Sequence, residues 1–243
     1  MIRTVFTFFY IMFYLIFVTP KLLKVRRINQ SIPVDKHDQM VHEHTKKFAQ
    51  SVLKFTGSNV LVRGERKIPE GPVIIISNHD GHFDIPVLLG YVNKPAGFFS
   101  KESVKKLPLV YQWMEAMNCI FVDRKNMRKA VRSLNDAIES LKAGHSMIIF
   151  PEGTRSKGKG VGKFETGAFR MAKKANVPIL PVALKGTYDM FEKNQGWKLY
   201  KIKPTTIQLE IGTPIMLDVM SEKTIGEISD ITKGRIEQML NNF

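Results

Sequence analysis

The residues best suited to chemistry in this chain are His79 and Asp84, within Ser77-Asn78-His79-Asp80-Gly81-His82-Phe83-Asp84. Four residues separate them, a spacing that one turn can close. A carboxylate that accepts from one imidazole nitrogen fixes the tautomer. The other nitrogen is then free to take a proton from a hydroxyl. The stretch also has plainer readings: a histidine satisfying local backbone groups, and an aspartate capping the next helix. A metal site of His79, His82 and Asp84 would need more ligands. After His82 only His145 follows, ahead of a different strand, so no metal is expected.

Three other stretches stand out, two of them with polar residues directly after apolar runs. Phe121-Val122-Asp123-Arg124 ends in an arginine suited to an anion, or in an Asp–Arg pair that ties down a loop. In Phe150-Pro151-Glu152-Gly153-Thr154-Arg155-Ser156, Gly153 allows close backbone approach and Arg155 can grip a phosphate bidentately. Gly153 to Lys159 fits most of G-x-x-x-x-G-K, but Gly160 lacks the hydroxyl that holds magnesium, and a nucleotide-hydrolase reading fails. Val177-Pro178-Ile179-Leu180-Pro181-Val182 is apolar with two prolines, which predicts an edge strand or the start of a strand. No G-x-S-x-G turn occurs, and Cys119 sits beside Ile120 and Phe121 as a buried thiol. Direct attack by a bound hydroxyl, without a covalent enzyme intermediate, is the expected chemistry.

The elements that position these residues alternate. Val60–Val62, Val73–Ile76, Ala96–Ser100, Ile120–Val122, Met147–Phe150, Ile179–Leu184 and Ile207–Ile211 read as strands. Ile85–Tyr91, Leu107–Met117, Arg128–Leu141 and Gly167–Ala175 read as helices, with a last helix from about Thr224 to Leu240 that carries a capping box at Glu227. This is an α/β class: a mainly parallel or mixed sheet covered by helices, over residues 58–243. Polar motifs at strand ends lie where such sheets bind ligands.

Residues 1–57 read as a membrane-associating pair of helices. Thr4 to Thr19 carries no charge and is rich in aromatic and aliphatic residues. As a helix it is about 24 Å long, short of the roughly 20 residues of a spanning helix. The N-terminus and Arg3 lie on one side, and Lys21, Lys24, Arg26 and Arg27 on the other. Basic flanks at both ends resist translocation. Insertion into one leaflet is the expectation, ahead of a short span or a buried core helix. A second helix, capped by Asp35 and stopped at Gly57, is read as interfacial. Its His37, His42 and His44 share no metal-binding spacing and are expected to be solvated or headgroup-facing.

The chain has 243 residues and a formal charge of +15, with a pI near 9.8. That balance implies an anionic partner. Nucleic acid is disfavoured, because basic and aromatic residues do not interleave. A single cysteine excludes an intrachain disulfide. An anionic membrane surface fits, whether for an enzyme or for a non-catalytic lipid-binding protein.

The four stretches, in this order, resemble the glycerolipid acyltransferase family, and within it the 1-acylglycerol-3-phosphate acyltransferases. Asn78-His79 with Asp84 is similar to that family's N-H-x4-D signature. Phe121–Arg124, Phe150–Ser156 and Val177–Val182 resemble its later motifs, and Phe164-Glu165-Thr166-Gly167-Ala168-Phe169 the segment after the third. Asp80-Gly81-His82-Phe83 lacks the serine often found there, and Asn118 replaces a common glycine. The resemblance implies acyl transfer from a thioester of coenzyme A or acyl-carrier protein to the sn-2 hydroxyl of lysophosphatidic acid. It implies His79 as base, oriented by Asp84, and no cofactor. Arg155, Arg124 and Lys101 would bind the acceptor phosphate. Glu152, Gly153 and Thr154 would form a substrate-binding loop, with Glu152 holding the glycerol or orienting Arg155. Amides near the following helix start would stabilise the oxyanion. The expected location is the cytoplasmic face of the cell membrane, in monotopic form. Glycerol 3-phosphate and other lysophospholipids remain rival acceptors.

Overall fold

The computed structural model describes residues 2–28, 32–194 and 200–243. Met1, and the side chains of Arg26 and Arg27 that were read as flanking charges, lie outside the described residues. Helix α1 (Ile2–Ile28) and helix α2 (Val34–Thr56) lead into strand β1 (Asn59–Arg63) and strand β2 (Ile74–Ser77). Then follow α3 (Asp84–Tyr91), β3 (Gly97–Lys101), α4 (Pro108–Ala116), β4 (Ile120–Val122), α5 (Met127–Lys142) and β5 (Met147–Ile149). The remainder is α6 (Gly167–Ala175), β6 (Ile179–Lys185), a short α7 (Thr187–Met190), β7 (Thr206–Ile211), α8 (Leu217–Ser221) and α9 (Ile225–Asn241).

The strands form one mixed sheet in the order β1-β7-β6-β2-β5-β3-β4. β6, β2, β5, β3 and β4 run parallel, so their carboxyl ends share one edge. β7 is antiparallel to β6 and parallel to β1. Both faces of the middle strands are covered, which is why they read as unbroken apolar runs. Ile74, Ile76, Met147 and Ile149 pack on one face with Phe169, Ile228 and Ile236. Ile75, Ile148, Leu180 and Val182 pack on the other with Leu53, Val87 and Leu88.

β6 corrects the expectation of an edge strand. It is internal and buried, with Pro181 paired to Ile76 of β2. Pro181 is tolerated because its carbonyl faces the β7 side, where it accepts from the Gly212 amide at 2.8 Å. An extended residue points its N–H and C=O the same way. The missing donor therefore falls just beyond the last β6–β7 pair, Val182 with Ile211.

The last helix has its capping box at Thr224 and Glu227. Asp35 does not cap α2. Pro33 stands at that position, and Asp35 lies in the first turn, where its charge complements the helix dipole. Gly57 ends α2 in the left-handed conformation at φ 75°. The histidines of α2 are another correction. His37 is buried, and His42 buries its Nε2. α2 packs against α1 and α3 instead of resting freely on a surface.

The first turns of helix α1 have their polarity reversed. Thr4 and Thr7 face inward, and the Thr4 hydroxyl accepts from the Ile202 amide at 2.9 Å. Ile2, Phe6, Phe9, Phe13 and Phe17 face outward, each at least 60 % exposed. Leu15, Val18, Leu22 and Val25 pack on Val41 and Trp113. The helix is not a core helix. Over Ile2–Leu22 it is long and apolar enough to cross a membrane, with mean hydropathy 1.8. An apolar stripe this large on the outside points to a membrane surface.

Candidate active site

Asp84 is the first residue of α3 and is fully buried at that helix's amino end. Its Oδ2 accepts from the Asp80 amide at 2.6 Å and the Gly81 amide at 3.0 Å. The same oxygen lies 2.7 Å from His79 Nδ1. A carboxylate only accepts, so Nδ1 carries the proton and Nε2 is left with its lone pair. The Thr187 hydroxyl of α7 donates to Asp84 Oδ1. The His79 ring stacks on Phe150, with centroids 4.0 Å apart and planes 15° apart, and its side chain keeps 17 % exposure. The ring is thus held at Nδ1 by Asp84 and on one face by Phe150, and Nε2 carries no bond within the described residues.

The turn around it is tied to the strand ends. Asn78 donates to the Leu184 carbonyl at 2.8 Å and accepts from the Leu184 amide at 2.9 Å, which binds β2 to β6. The Ser156 amide donates to the His79 carbonyl at 2.7 Å. Asp80 accepts from the Gly158 amide at 3.0 Å and the Ser156 hydroxyl at 3.3 Å, and from the Tyr188 amide at 3.3 Å. Burial, and then the nearby Asp84 charge, raise the Asp80 carboxyl above its ordinary value.

Glu152 Oε1 accepts from the His79 amide, and its Oε2 from the Gly162 amide, both at 2.8 Å. Burial pushes its carboxyl up, opposed by these bonds. It braces the His79 turn and does not touch Arg155. Instead Arg155 lies against the His82 ring, and its Nη1 is 3.3 Å from Glu192 Oε1. Arg124 donates to the Gly153 carbonyl, so one of its nitrogens braces the third motif. Gly153 has φ 68°, and a Cβ there would meet Arg124 Nη1 at 2.9 Å. Asp123 pairs with Lys129 at 3.6 Å and accepts from the Lys125 amide, not from Arg124. Thr154 is exposed on the loop. Lys101 is exposed at the end of β3, level with Val122.

The amides just ahead of the α3 start are already engaged. The amides of His79, Asp80, Gly81 and His82 each donate to a carboxylate: Glu152, Asp84, Asp84 and Glu192. They buttress the turn. His82 points to Glu192 and Arg155, so His79, His82 and Asp84 do not converge as metal ligands. Thr187 and Glu192 were absent from the sequence-based site. The signal for them was weak: they follow β6 at the edge where all the other motifs end.

Comparison with known proteins gives the same picture. The model of the family described as Acyltransferase matches residues 59–185, more than half of the chain. The chain belongs to the acyltransferase family. This acyltransferase is 28 % identical over 182 residues to a probable 1-acyl-sn-glycerol-3-phosphate acyltransferase of Mycoplasma genitalium, covering 73 % of the chain and 68 % of the relative. It is 35 % identical over 143 residues to the 1-acyl-sn-glycerol-3-phosphate acyltransferase of Borreliella burgdorferi, covering 58 % and 57 %. The crystal structure of the 1-acyl-sn-glycerophosphate (LPA) acyltransferase PlsC from Thermotoga maritima superposes with a TM-score of 0.84 at 28 % identity. That match covers 99 % of this acyltransferase and 94 % of the other chain.

Proposed function

We propose that this acyltransferase moves a fatty acyl group from a thioester to the free sn-2 hydroxyl of lysophosphatidic acid, forming phosphatidic acid. The observation that carries the mechanism is the 2.7 Å bond from His79 Nδ1 to the buried Asp84 carboxylate, which leaves Nε2 as the open base. His79 takes the hydroxyl proton as the oxygen attacks the thioester carbonyl. The C–O bond forms, the C–S bond breaks, and the departing thiolate takes the proton from the imidazolium. Asp84 stabilises that imidazolium. No acyl-enzyme is needed. Cys119 is buried and its thiol is pushed up to about 12 by burial, so it is no nucleophile at neutral pH.

Arg155 receives the acceptor phosphate, with Lys101 and the exposed part of Arg124 at the rim. Coenzyme A or acyl-carrier protein brings the acyl group. Residues 1–57 seat the site on the cytoplasmic leaflet in monotopic form. The outward Phe6, Phe9, Phe13 and Phe17 enter the acyl region there, and the excess positive charge favours an anionic leaflet.

The test is acyl transfer to lysophosphatidic acid by purified wild type and His79→Ala, with each donor. Phosphatidic acid from wild type, reduced about 10²- to 10⁴-fold in the variant with vesicle binding intact, is the expected result. Full activity in the variant would remove His79 from the mechanism. Wild-type transfer only to another lysophospholipid or to glycerol 3-phosphate would reassign the acceptor.

A further inference from the structure

Five residues beyond Thr187, which holds Asp84, the same segment supplies Glu192. This acid has only 5 % of its side chain exposed. A carboxylate so far from water must be paired. Three donors reach its Oε1: the His82 amide at 2.6 Å, His82 Nδ1 at 2.6 Å, and Arg155 Nη1 at 3.3 Å. Burial alone would raise its pKa, but the bonds from the His82 side chain and amide outweigh that, and the carboxyl sits below its ordinary value. Gly81 makes the approach possible. A Cβ there would lie 2.8 Å from Glu192 Oε2 and 3.1 Å from the Thr187 carbonyl carbon and the Tyr188 amide nitrogen.

We infer that Glu192 is a positioning residue that locks His82 and Arg155 into one anchor for the acceptor phosphate. The inference rests on the acyl-transfer reading above. Arg155 is a long side chain with five donors and considerable rotamer freedom. Glu192 holds one of its nitrogens, and the Arg155 side chain as a whole keeps 31 % exposure. Because the carboxylate accepts a hydrogen bond at Nδ1, the His82 ring is held edge-on to Phe191, with its side chain 53 % exposed beside Arg155. The anchor is fixed to the base at both ends. His82 is on the same turn as His79, and Ser156, next to Arg155, bonds the His79 carbonyl. An arginine ordered before binding loses less freedom when phosphate arrives.

The test is steady-state kinetics with lysophosphatidic acid on wild type, Glu192→Gln, Arg155→Gln and the double variant. Unfolding midpoints are read alongside. Glu192→Gln keeps an acceptor oxygen but removes the charge that strengthens its bonds to His82 and Arg155, and is expected to raise the acceptor KM about 10-fold. Its kcat and donor KM should stay within about threefold of wild type. In the Arg155→Gln background the same change should have no further effect, because coupled residues are non-additive. His82→Ala, at an exposed ring, repeats the measurement if Glu192→Gln folds poorly. An unchanged or lowered acceptor KM, or effects that multiply in the double variant, would overturn the inference. Thermal shifts with sn-glycerol 3-phosphate read the anchor without turnover. Wild type should be stabilised, Glu192→Gln less so, and Arg155→Gln not at all. If wild type fails to acylate lysophosphatidic acid, the acceptor assignment fails, and this binding series alone decides the role of Glu192.

Discussion

His79 with Asp84 and His82 with Glu192 are the same pair of groups at nearly the same separation, 2.7 and 2.6 Å. They stand three residues apart on one turn, yet their surroundings differ. Asp84 is fully buried, and both of its oxygens are engaged, by two amides, a hydroxyl and the ring. The His79 ring is stacked and has 17 % exposure. Glu192 leaves Oε2 buried without a partner among the described residues, and its histidine has 53 % exposure and shares its carboxylate with an arginine. Saturated donors and a stacked ring suit proton transfer, where a change in charge must be met by fixed dipoles. A pair open to solvent and bridged to Arg155 suits the holding of an anion. Residue type does not distinguish a base from an anchor here; the surrounding hydrogen bonds do.

Asp84→Asn should separate the two pairs most widely. The amide can keep the bonds to the turn: its oxygen accepts from His79, Asp80 and Gly81, while its nitrogen reverses the Thr187 bond by donating to that hydroxyl. The charge, and the acceptor of the Thr187 hydroxyl, are lost. The kcat is expected to fall about 10²- to 10⁴-fold with the acceptor KM and the fold retained. That is the mirror image of Glu192→Gln. Matching KM effects in both variants would mean that the two pairs act as one site.

Gly81→Ala should damage both pairs together. The added methyl would meet the backbone of Thr187 and Tyr188 at 3.1 Å, and a backbone cannot swing aside as a side-chain tip can. The segment carrying Thr187 and Glu192 must shift. A loss of about 1–3 kcal/mol in stability is expected, with kcat lowered and acceptor KM raised at once. Chemical denaturation and kinetics on one preparation measure both. A change in only one kinetic constant would show that α7 and the 192–194 turn move independently.

The contrast between the pairs also explains what could be read in advance. His79 and Asp84 were legible because both lie in one turn after an unbroken apolar strand. The place of Glu152 and Arg155 was legible because their loop also follows a strand at the same edge, but the bond of Glu152 to the His79 amide was not. Thr187 and Glu192 were not. Their partners lie 103 and 110 residues away in the chain, and only the placement of β6 beside β2 brings them together. Position in the middle of the sheet overrode the one proline inside β6, Pro181, because its missing N–H falls just beyond the last pair with β7. The inverted α1 was legible in composition, since its outward rings are the aromatic run itself. The inward Thr4 was not, because its partner is an amide near β7.

His42 provides the control: a histidine with no carboxylate partner. Its Nε2 is buried and has no hydrogen-bond partner among the described residues. Burial first, and then the Lys46 charge, push its pKa down to about 4, against a weaker opposite pull from Glu43. The sign follows from linkage. Between its ordinary value of 6.5 and about 4, the unfolded chain binds a proton that the folded chain refuses. Stability is therefore unaffected by His42 above pH 6.5 and is lost as pH falls toward 4. His42→Leu should flatten this acid limb of the stability curve while leaving the midpoint near pH 7.5, and acyl transfer, close to wild type. Denaturant titrations of both proteins from pH 7.5 to 4 provide the measurement. An unchanged acid limb would mean that His42 finds a proton acceptor in solution. The rule drawn from the two pairs would then extend to it: a buried imidazole in this fold is defined by the group that faces it.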